Sequence, residues 1–480
     1  MILPLQRQNS GKSGNLAAIQ RLNKTPELNP PYNPSMAHKS PTYNLLTADR
    51  LIDAKGGPPI QNGAVLTRDS EILAVGSAYE IRAPEGASVT NHHYPGATIL
   101  PGMVDCHTHN NGFGDGRNGQ DLAALPDEIL TLQSASNARR SLFSGVTTIR
   151  ENGPKNMTMF RLRDAINEGL TIGPRMILCG RPVSIIGGHM GYFGGEVTGI
   201  DECRAFTRQL IKEGADYIKI TATGGSTPSS FPLRPAFNLD ELKAVTDEAH
   251  KFGKLTATHS TSTKGVINSL DANVDMIIHC VYKEPDDTDN FRVDVAERIG
   301  EQGAYVNPTL HVGRSKIWSL TQKNRAFGIT EQESIELDTA KRELETRLDQ
   351  NRRMIEMGVK VITGSDSSWG DYQLGNTVYE TELLVHAGYS HMQGVLSVTK
   401  WASEALGVND IVGTLEPGKQ ADILVVDGDP SKNVNDLWNV TDVFFKGENL
   451  DRGSEESLSA VRQTPEEINL GSHHSHGGHK

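Results

Sequence analysis

The chain has 480 residues, a net charge of −12 at pH 7 and a hydrophobic content of 36%. This acidic balance argues against a broad surface for nucleic acids or anionic membranes, and no apolar run reaches the roughly 18 residues that would span a bilayer. The four cysteines include no CxxC pair, so we expect buried free thiols in a reducing cytoplasm rather than a zinc ribbon.

The N-terminal residues 1–42 are rich in Asn, Pro, Ser and Lys and lack periodicity, which predicts a disordered extension. They do not begin with the apolar core of a signal peptide. Met36 lies just before the first patterned segment, so we expect translation to start there; Met1 peptides in protein made from the native gene would contradict this. Residues 43–103 then show short apolar runs between Gly and Pro turns, which predict β-strands.

Two histidines close the apolar run that begins at Ile99. Side chains at positions i and i+2 of a strand point to the same face, so His107 and His109 can bind one metal ion from one side. An isolated HxH pair often occurs by chance, and its weight therefore depends on the rest of the chain.

Three apolar runs further along the chain end in His259, His279 and Asp366. Helical-looking sequence separates the runs, and about eight strands that alternate with helices close into a TIM barrel. We therefore predict an α/β fold with a (β/α)8 barrel over residues 104–405, in which the chemistry lies at the carboxyl ends of the strands. The predicted strands are 103–109, 145–151, 174–184, 216–223, 254–259, 274–280, 303–309 and 360–366.

Lys219 stands inside another apolar run, DYIKIT. A buried ammonium without a partner is costly, so its pKa falls, and the neutral amine can add carbon dioxide. The resulting carbamate has two oxygens and can bridge two divalent cations. The alternative is an ion pair between Lys219 and Asp216 or Glu213. The potential ligands at matching strand ends favour the carbamate.

Several side chains beside these strand ends are candidates for substrate binding. His189 follows a Gly-Gly pair, and it either reaches a carbonyl or tetrahedral oxyanion as a catalytic group or caps its loop. His311 closes the seventh predicted strand and has the same two interpretations. Arg234, in the loop after the fourth strand, either binds a carboxylate bidentately or is solvated. Trp369 and Tyr372 follow the eighth strand and suit an apolar wall for an aromatic leaving group.

The last third of the chain completes the predicted organisation. Residues 331–357 are charged and helical in pattern, and they form either a lid over the pocket mouth or a plain surface hairpin. Residues 406–451 return to short strands. The polar tail, residues 452–480, ends in a histidine-containing stretch that either binds metal loosely or is disordered, and we predict disorder.

These segments together resemble the amidohydrolase superfamily of metal-dependent hydrolases, from about Tyr43 to Asp451. The motifs that carry the resemblance are LPGMVDCHTH, GVTTIREN, IIGGHMG, DYIKITATGG, TATHS, MIIHCV, VITGSD and GTLEPGKQADILVVD. Within the superfamily the chain looks most like the branch of prolidase-like dipeptidases, ochratoxinase and the molinate and phenylurea hydrolases. It departs from the pattern at Glu151-Asn152, where relatives often show aspartate after the arginine.

The resemblance implies a set of metal ligands, namely His107, His109, Lys219, His259, His279 and Asp366. The first two histidines would bind one metal and the last two a second. Carboxylated Lys219 would bridge the two, and Asp366 would bind the first metal and shuttle the proton. Some members of the branch use one metal; because every ligand position is kept here, we expect two divalent cations, zinc by preference. The resemblance also implies a homo-oligomer and one β-sandwich built from residues 43–103 and 406–451.

The predicted activity is hydrolysis of an amide-type C–N bond in a small molecule by a metal-activated hydroxide, with Asp366 as general base and then general acid. A dipeptide or an N-acyl amino acid is the favoured substrate. The alternative is a urea or carbamate hydrolase for xenobiotics such as phenylureas, including a form with a single metal. A deaminase usually lacks a bridging lysine, and a non-catalytic scaffold has no need of an intact ligand set, so both fit less well.

Overall fold

The structure is a computed structural model that describes residues 41–453. The predicted disordered extension, the start at Met36 and the disordered histidine-containing tail fall outside this range, apart from the residues at its edges. All four cysteines are buried and free, as expected. None of the described helices is both long and apolar enough to cross a membrane.

Strands and helices alternate through most of the described chain. The strands are β1 (Tyr43–Leu51), β2 (Ile60–Arg68), β3 (Glu71–Ser77), β4 (Val89–Pro101), β5 (Met103–Thr108), β6 (Val146–Glu151), β7 (Arg175–Leu178), β8 (Ser184–Ile185), β9 (Glu196–Val197), β10 (Tyr217–Ile220), β11 (Leu255–His259), β12 (Met276–Ile278), β13 (Tyr305–Asn307), β14 (Ile423–Asp427), β15 (Val440–Phe445) and β16 (Glu448–Asn449). The helices are α1 (Gly119–Ala123), α2 (Asp127–Phe143), α3 (Thr158–Asn167), α4 (Gly199–Glu213), α5 (Leu239–Lys251), α6 (Thr263–Asp271), α7 (Val293–Gln302), α8 (His311–Phe327), α9 (Glu331–Glu356), α10 (Thr377–His386), α11 (His391–Ser397) and α12 (Lys400–Ala405).

Strands from both ends of the chain form one sheet, in the order β16-β15-β14-β4-β1-β2-β3. The long strand β4 joins the two segments, because it pairs in parallel with β1 and antiparallel with β14. The sheet buries an apolar cluster that includes Leu46, Ile99, Ile423 and Phe444. The hydrogen bonding thus joins both ends of the chain in one seven-stranded sheet, and the sandwich stays a prediction.

The strands from β5 to β13 form three parallel sheets, namely β5-β6-β7, the short pair β8-β9 and β10-β11-β12-β13. Helices connect most successive strands, so the predicted α/β class is confirmed. The bridges between neighbouring segments are Val183–Ile220, Val306–Val361 and Thr108–Ser367, all parallel. Because these are single bridges, the described residues do not form one continuous sheet of eight strands, and the closed barrel stays a prediction.

Six of the eight predicted strands form with shorter ends, and two others differ more from the prediction. The segment 174–184 is divided into β7 and the start of β8, because Gly180 adopts a φ of 69° and Pro182 has no backbone N–H to donate. The segment 360–366 forms only a bridge at Val361. Asp366 has a φ of 57°, and this left-handed turn ends the extended chain at the residue that carries a candidate metal ligand.

Helix α9 confirms the helix predicted over residues 331–357. Thr330 and Glu333 form a capping box at its N-terminus. The predicted apolar stripe is buried, and it consists of Leu337, Ala340, Leu344 and Leu348. The stripe packs with Leu383 and Leu384 of α10, which fixes the helix against the fold.

Candidate metal centre

Four histidines and an aspartate meet at the carboxyl ends of the parallel strands. His107 lies in β5 and His109 just after it, while His259 ends β11 and His279 follows β12. All are buried except His279, which is half-buried, and Asp366 is buried beside them. The period of two along β5 brings its two histidines to one side, as predicted.

Three donor atoms converge on one point. The Nε2 atoms of His107 and His109 lie 3.2 Å apart, and Oδ1 of Asp366 lies 3.2 Å from the first and 3.1 Å from the second. Two imidazole nitrogens and a carboxylate oxygen at this spacing suit one divalent cation. Within residues 41–453 no other three His, Cys, Asp or Glu side chains converge in this way.

His259 and His279 form a second pair beside the first. Their ring centroids lie 4.5 Å apart, and the ring of His279 lies 5.7 Å from that of His107. Nε2–H of His259 donates to the carbonyl of Gly224 at 3.0 Å, which leaves Nδ1 with its lone pair. Among the described residues, no third His, Cys, Asp or Glu donor atom converges with those of this pair as the donors of His107, His109 and Asp366 do.

The protonation of these groups fits a metal site. The pKa of each of three histidines is well below its usual value, mainly because of burial; they are His107, His259 and His279. Neutral imidazole is the form that binds metal. The buried Nδ1 of His109 has no hydrogen-bond partner among the described residues. The donor set therefore fits a divalent cation by its chemistry, its spacing and its charge state.

Lys219 is buried inside β10 and lines the same cavity as the histidines. Burial lowers the pKa of its ammonium to about 7. The two carboxylates proposed as alternative partners are bound elsewhere, since Asp216 pairs with Arg163 at 2.8 Å and Glu213 pairs with Arg181. Neither Asp216 nor Glu213 therefore forms an ion pair with Lys219 in this structure.

A cavity of about 360 Å³ contains the candidate ligands. The predicted site residues that line it are His107, His109, His189, Lys219, His259, His279, Asp366 and Trp369. Met190, Val281 and Val312 add apolar walls. A small cavity with apolar walls and a few convergent polar groups is typical of a small-molecule site.

His189 forms a buried hydrogen bond with Thr227. The backbone N–H of Met190 donates to Oγ1 of Thr227 at 3.1 Å, and the same hydroxyl lies 3.1 Å from Nδ1 of His189. When the hydroxyl donates to Nδ1, the ring carries its proton on Nε2. Burial lowers the pKa of His189 to about 3, which keeps the ring neutral. The ring packs 4.4 Å from that of His259, at the edge of the metal centre.

Trp369 forms one wall of the cavity, as expected, but Tyr372 does not. The Trp369 ring lies 5.0 Å from that of His109. The Tyr372 hydroxyl instead donates to the backbone carbonyl of Asp366 at 2.8 Å and is buried. Tyr372 thus supports the turn that carries Asp366, and the prediction that it contacts substrate is not supported.

His311 and Arg234 also lie away from the cavity walls. His311 is buried beside Tyr372, with ring centroids 4.9 Å apart, and its Nε2 accepts a hydrogen bond from Nδ2 of Asn376 at 2.9 Å. Arg234 is exposed, and its guanidinium stacks on Phe231 at 4.9 Å. Neither side chain is among the residues that line the cavity, and their roles in substrate binding stay predictions.

Arg347 lines the cavity and was missed by sequence analysis. It lies on α9, where its guanidinium donates to the carbonyls of Pro308 and, at 3.4 Å, of His279. Its position in the sequence could have indicated that Arg347 faces the fold, since it stands between Leu344 and Leu348 at the edge of the buried stripe. In a helix with many charged residues, that position alone did not separate Arg347 from its neighbours.

The departure at Glu151-Asn152 lies behind the ligands. Nδ2 of Asn152 and Nε of Arg150 both donate to the carbonyl of Cys106, at 3.2 and 2.8 Å, just before His107. Burial raises the pKa of Glu151 to about 8. These side chains therefore support β5 and lie outside the cavity wall.

Parallel strands with histidine and aspartate donors at their carboxyl ends are typical of metal-dependent hydrolases of the α/β class. The amidohydrolase family model matches residues 98–450, and the chain belongs to this family. The ochratoxinase of Aspergillus niger is 24% identical over 413 residues, which cover 79% of this chain and 80% of that protein.

Solved structures agree with this assignment. A crystal structure of a Xaa-Pro dipeptidase with bound methionine has a TM-score of 0.72 and 26% identity, and the match covers 85% of this chain and 99% of that one. The molinate hydrolase structure shares the fold, with a TM-score of 0.69 at 20% identity, over 89% of this chain and 99% of that one. The branch predicted from the motifs is thereby confirmed.

Proposed function

We propose that the protein hydrolyses the amide C–N bond of a dipeptide or an N-acyl amino acid. The observation that carries the proposal is the convergence of His107, His109 and Asp366 within 3.2 Å, in a cavity that Arg347 also lines. The donor cluster supports hydrolysis, and the arginine supports a substrate with a carboxylate.

The order of contacts along the cavity supports one orientation of the substrate. Arg347 contacts the backbone of His279, and Trp369 packs on the ring of His109. His107 lies between them, 5.7 Å from His279 and 5.1 Å from His109 between ring centroids. A carboxylate held by Arg347 would place the scissile amide at the histidines and the acyl group against Trp369.

The reaction adds water across the amide. A cation held by this donor set would lower the pKa of a water molecule and polarise the scissile carbonyl. Asp366 would take one proton from the water as its oxygen bonds to the carbonyl carbon, and would pass that proton to the nitrogen as the C–N bond breaks. Nε2–H of His189 would donate to the developing oxyanion. The products are a carboxylic acid and an amine.

The finer features of the site are part of the same proposal. We propose two divalent cations, zinc by preference, with carboxylated Lys219 between them. Lys219 has no ion-pair partner within 4.0 Å among the described residues, and its lowered pKa supports an amine able to add carbon dioxide. We also propose a closed eight-stranded barrel and a homo-oligomer, by analogy with the family.

A urea or carbamate hydrolase is the second candidate. The apolar walls formed by Met190, Val281, Val312 and Trp369 favour it, because they suit an aryl group without requiring a carboxylate. The two candidates differ in their need for Arg347.

Metal stoichiometry and amine release test the proposal together. We would compare wild type, Lys219→Ala and the exposed control Lys243→Ala on N-acyl amino acids, dipeptides and arylureas. We expect about two metals per chain in wild type and the control, and about one or none in Lys219→Ala with activity lost. One metal in wild type that persists in Lys219→Ala would contradict the bridge, and turnover of arylureas alone would replace the substrate class.

A further inference from the structure

A second cavity adjoins the catalytic one. Its volume is about 150 Å³, and its walls include Arg117, Asn118, Gln120, Tyr192 and Pro228. These residues come from the loops that follow β5, β8 and β10, the same ends of the strands that carry the metal donors. The two cavities share two wall residues, Ser226 and Trp369.

The shared residues form a partition between the cavities. Nε1–H of Trp369 donates to Oγ of Ser226 at 3.3 Å. One side of the indole ring faces the metal centre, at 5.0 Å from His109 and 6.3 Å from His189 between ring centroids. Its far edge lies close to Gly119 of α1, where an added Cβ would meet the Tyr192 hydroxyl first and would lie 2.7 Å from Cη2 of Trp369. Packing at one edge and one long hydrogen bond at the other therefore hold the partition in place.

We propose that the second cavity is a distal subsite for an aromatic group with a polar edge, such as a hydroxyphenyl group at the far end of the acyl chain. Trp369 and Ser226 then set the length of acyl group that the protein accepts. The proposal rests on the proposed function, in which the acyl group extends from the histidines toward Trp369.

The chemistry of the walls supports this ligand class. Tyr192 and Trp369 place aromatic rings in the walls of this cavity. Gln120 adds a polar side chain, and Asn118 adds its Nδ2, because its Oδ1 already accepts the N–H groups of Gln120 and Asp121. Arg117 is paired with Asp115 at 2.9 Å and stacks on Phe113. Because its charge is already paired, this cavity does not require an anionic ligand.

The test compares a short and a long substrate on variants of the partition. The short substrate is N-acetyl-L-methionine, and the long one is N-[5-(4-hydroxyphenyl)pentanoyl]-L-methionine. Trp369→Ala joins the two cavities, Ser226→Ala removes only the hydrogen bond, and Trp369→Phe removes the N–H but keeps a ring. Trp401→Phe is the matched control, because Trp401 packs on Tyr389 away from both cavities.

We expect Trp369→Ala to raise the ratio of kcat/KM for the long over the short substrate by about tenfold or more. Ser226→Ala and Trp369→Phe should raise it less, and Trp401→Phe should leave it unchanged. Ser226→Ala keeps the proposal testable if Trp369→Ala does not fold. A ratio unchanged in all three partition variants would overturn the subsite.

Binding separates this proposal from the proposed function. Calorimetry with the sulfonamide analogues of both substrates needs no turnover. Tighter binding of the long analogue to Trp369→Ala, without hydrolysis of either amide, would support the subsite and contradict the amidase. Hydrolysis of both amides with an unchanged ratio would support the amidase and overturn the subsite. No binding of either analogue to any variant would overturn both.

Discussion

Nδ1 of His107 lies 3.1 Å from Oδ1 of Asn307, deep inside the fold. Nδ2 of Asn307 donates to the carbonyl of Ile362 at 3.2 Å, which assigns its oxygen as the acceptor for His107. The imidazole must therefore carry its proton on Nδ1, and Nε2 is left with a lone pair at the point where His109 and Asp366 converge.

Replacing Asn307 should weaken metal binding without removing a ligand. In Asn307→Ala the His107 ring loses the partner that sets its tautomer and orientation, and we expect metal affinity to fall about 10–100-fold. Competition with a chelator of known affinity measures this. Asn439→Ala is the control, since its side chain is exposed and donates to the backbone carbonyl of Asp427 at 3.4 Å. Equal affinities in the two variants would contradict the role of Asn307.

Two arginines are candidates for binding the substrate carboxylate. Arg347 lines the cavity, whereas Arg234 is exposed on Phe231. We expect Arg347→Met to raise KM for N-acyl amino acids about 10–100-fold, because a charge-assisted hydrogen bond is lost, and to change the hydrolysis of an arylurea little. Arg234→Met should change the KM for N-acyl amino acids and the hydrolysis of the arylurea by no more than about twofold. The reverse pattern would restore the assignment made from the sequence.

The metal ligands could be predicted because their signals are local. His107 and His109 share a strand face, and His259, His279 and Asp366 each close an apolar run. A strand end is visible in a short window of sequence, and parallel topology brings such ends together whatever the details of packing.

The substrate residues could not be predicted in the same way. Arg347 reaches the cavity only because α9 packs along its buried stripe. Asn307 orients the ring of His107, which lies 200 positions earlier in the chain. Arg234 is in the loop that follows the fourth strand, but its side chain is exposed and its guanidinium lies over the ring of Phe231. The eighth strand shortens to a bridge because the turn at Asp366 depends on long-range contacts.

A buried ion pair joins α8 to α10. Nη1 of Arg314 lies 2.6 Å from Oε2 of Glu382, and the guanidinium packs 4.1 Å above the ring of Tyr379. Glu382→Gln leaves an unbalanced buried charge, so we expect it to destabilise the fold by about 3–5 kcal/mol. The double variant Arg314→Met, Glu382→Leu should be more stable than Glu382→Gln. Calorimetric Tm values at fixed metal concentration test this, and a Glu382→Gln variant as stable as wild type would contradict it.

His250 should make stability depend on pH. Its Nε2 lies 2.8 Å from Oδ2 of Asp275, and this hydrogen bond is the main cause that raises the pKa of His250, against partial burial and with help from Asp247. A folded-state pKa above the unfolded value of about 6.5 means that the contribution is complete below that pH and is lost as the pH rises through the folded pKa. The Tm difference between wild type and His250→Gln should therefore be largest near pH 6 and shrink toward pH 9. Asp275→Asn should lose the same pH-dependent part, and a difference that grows with pH would contradict the assignment.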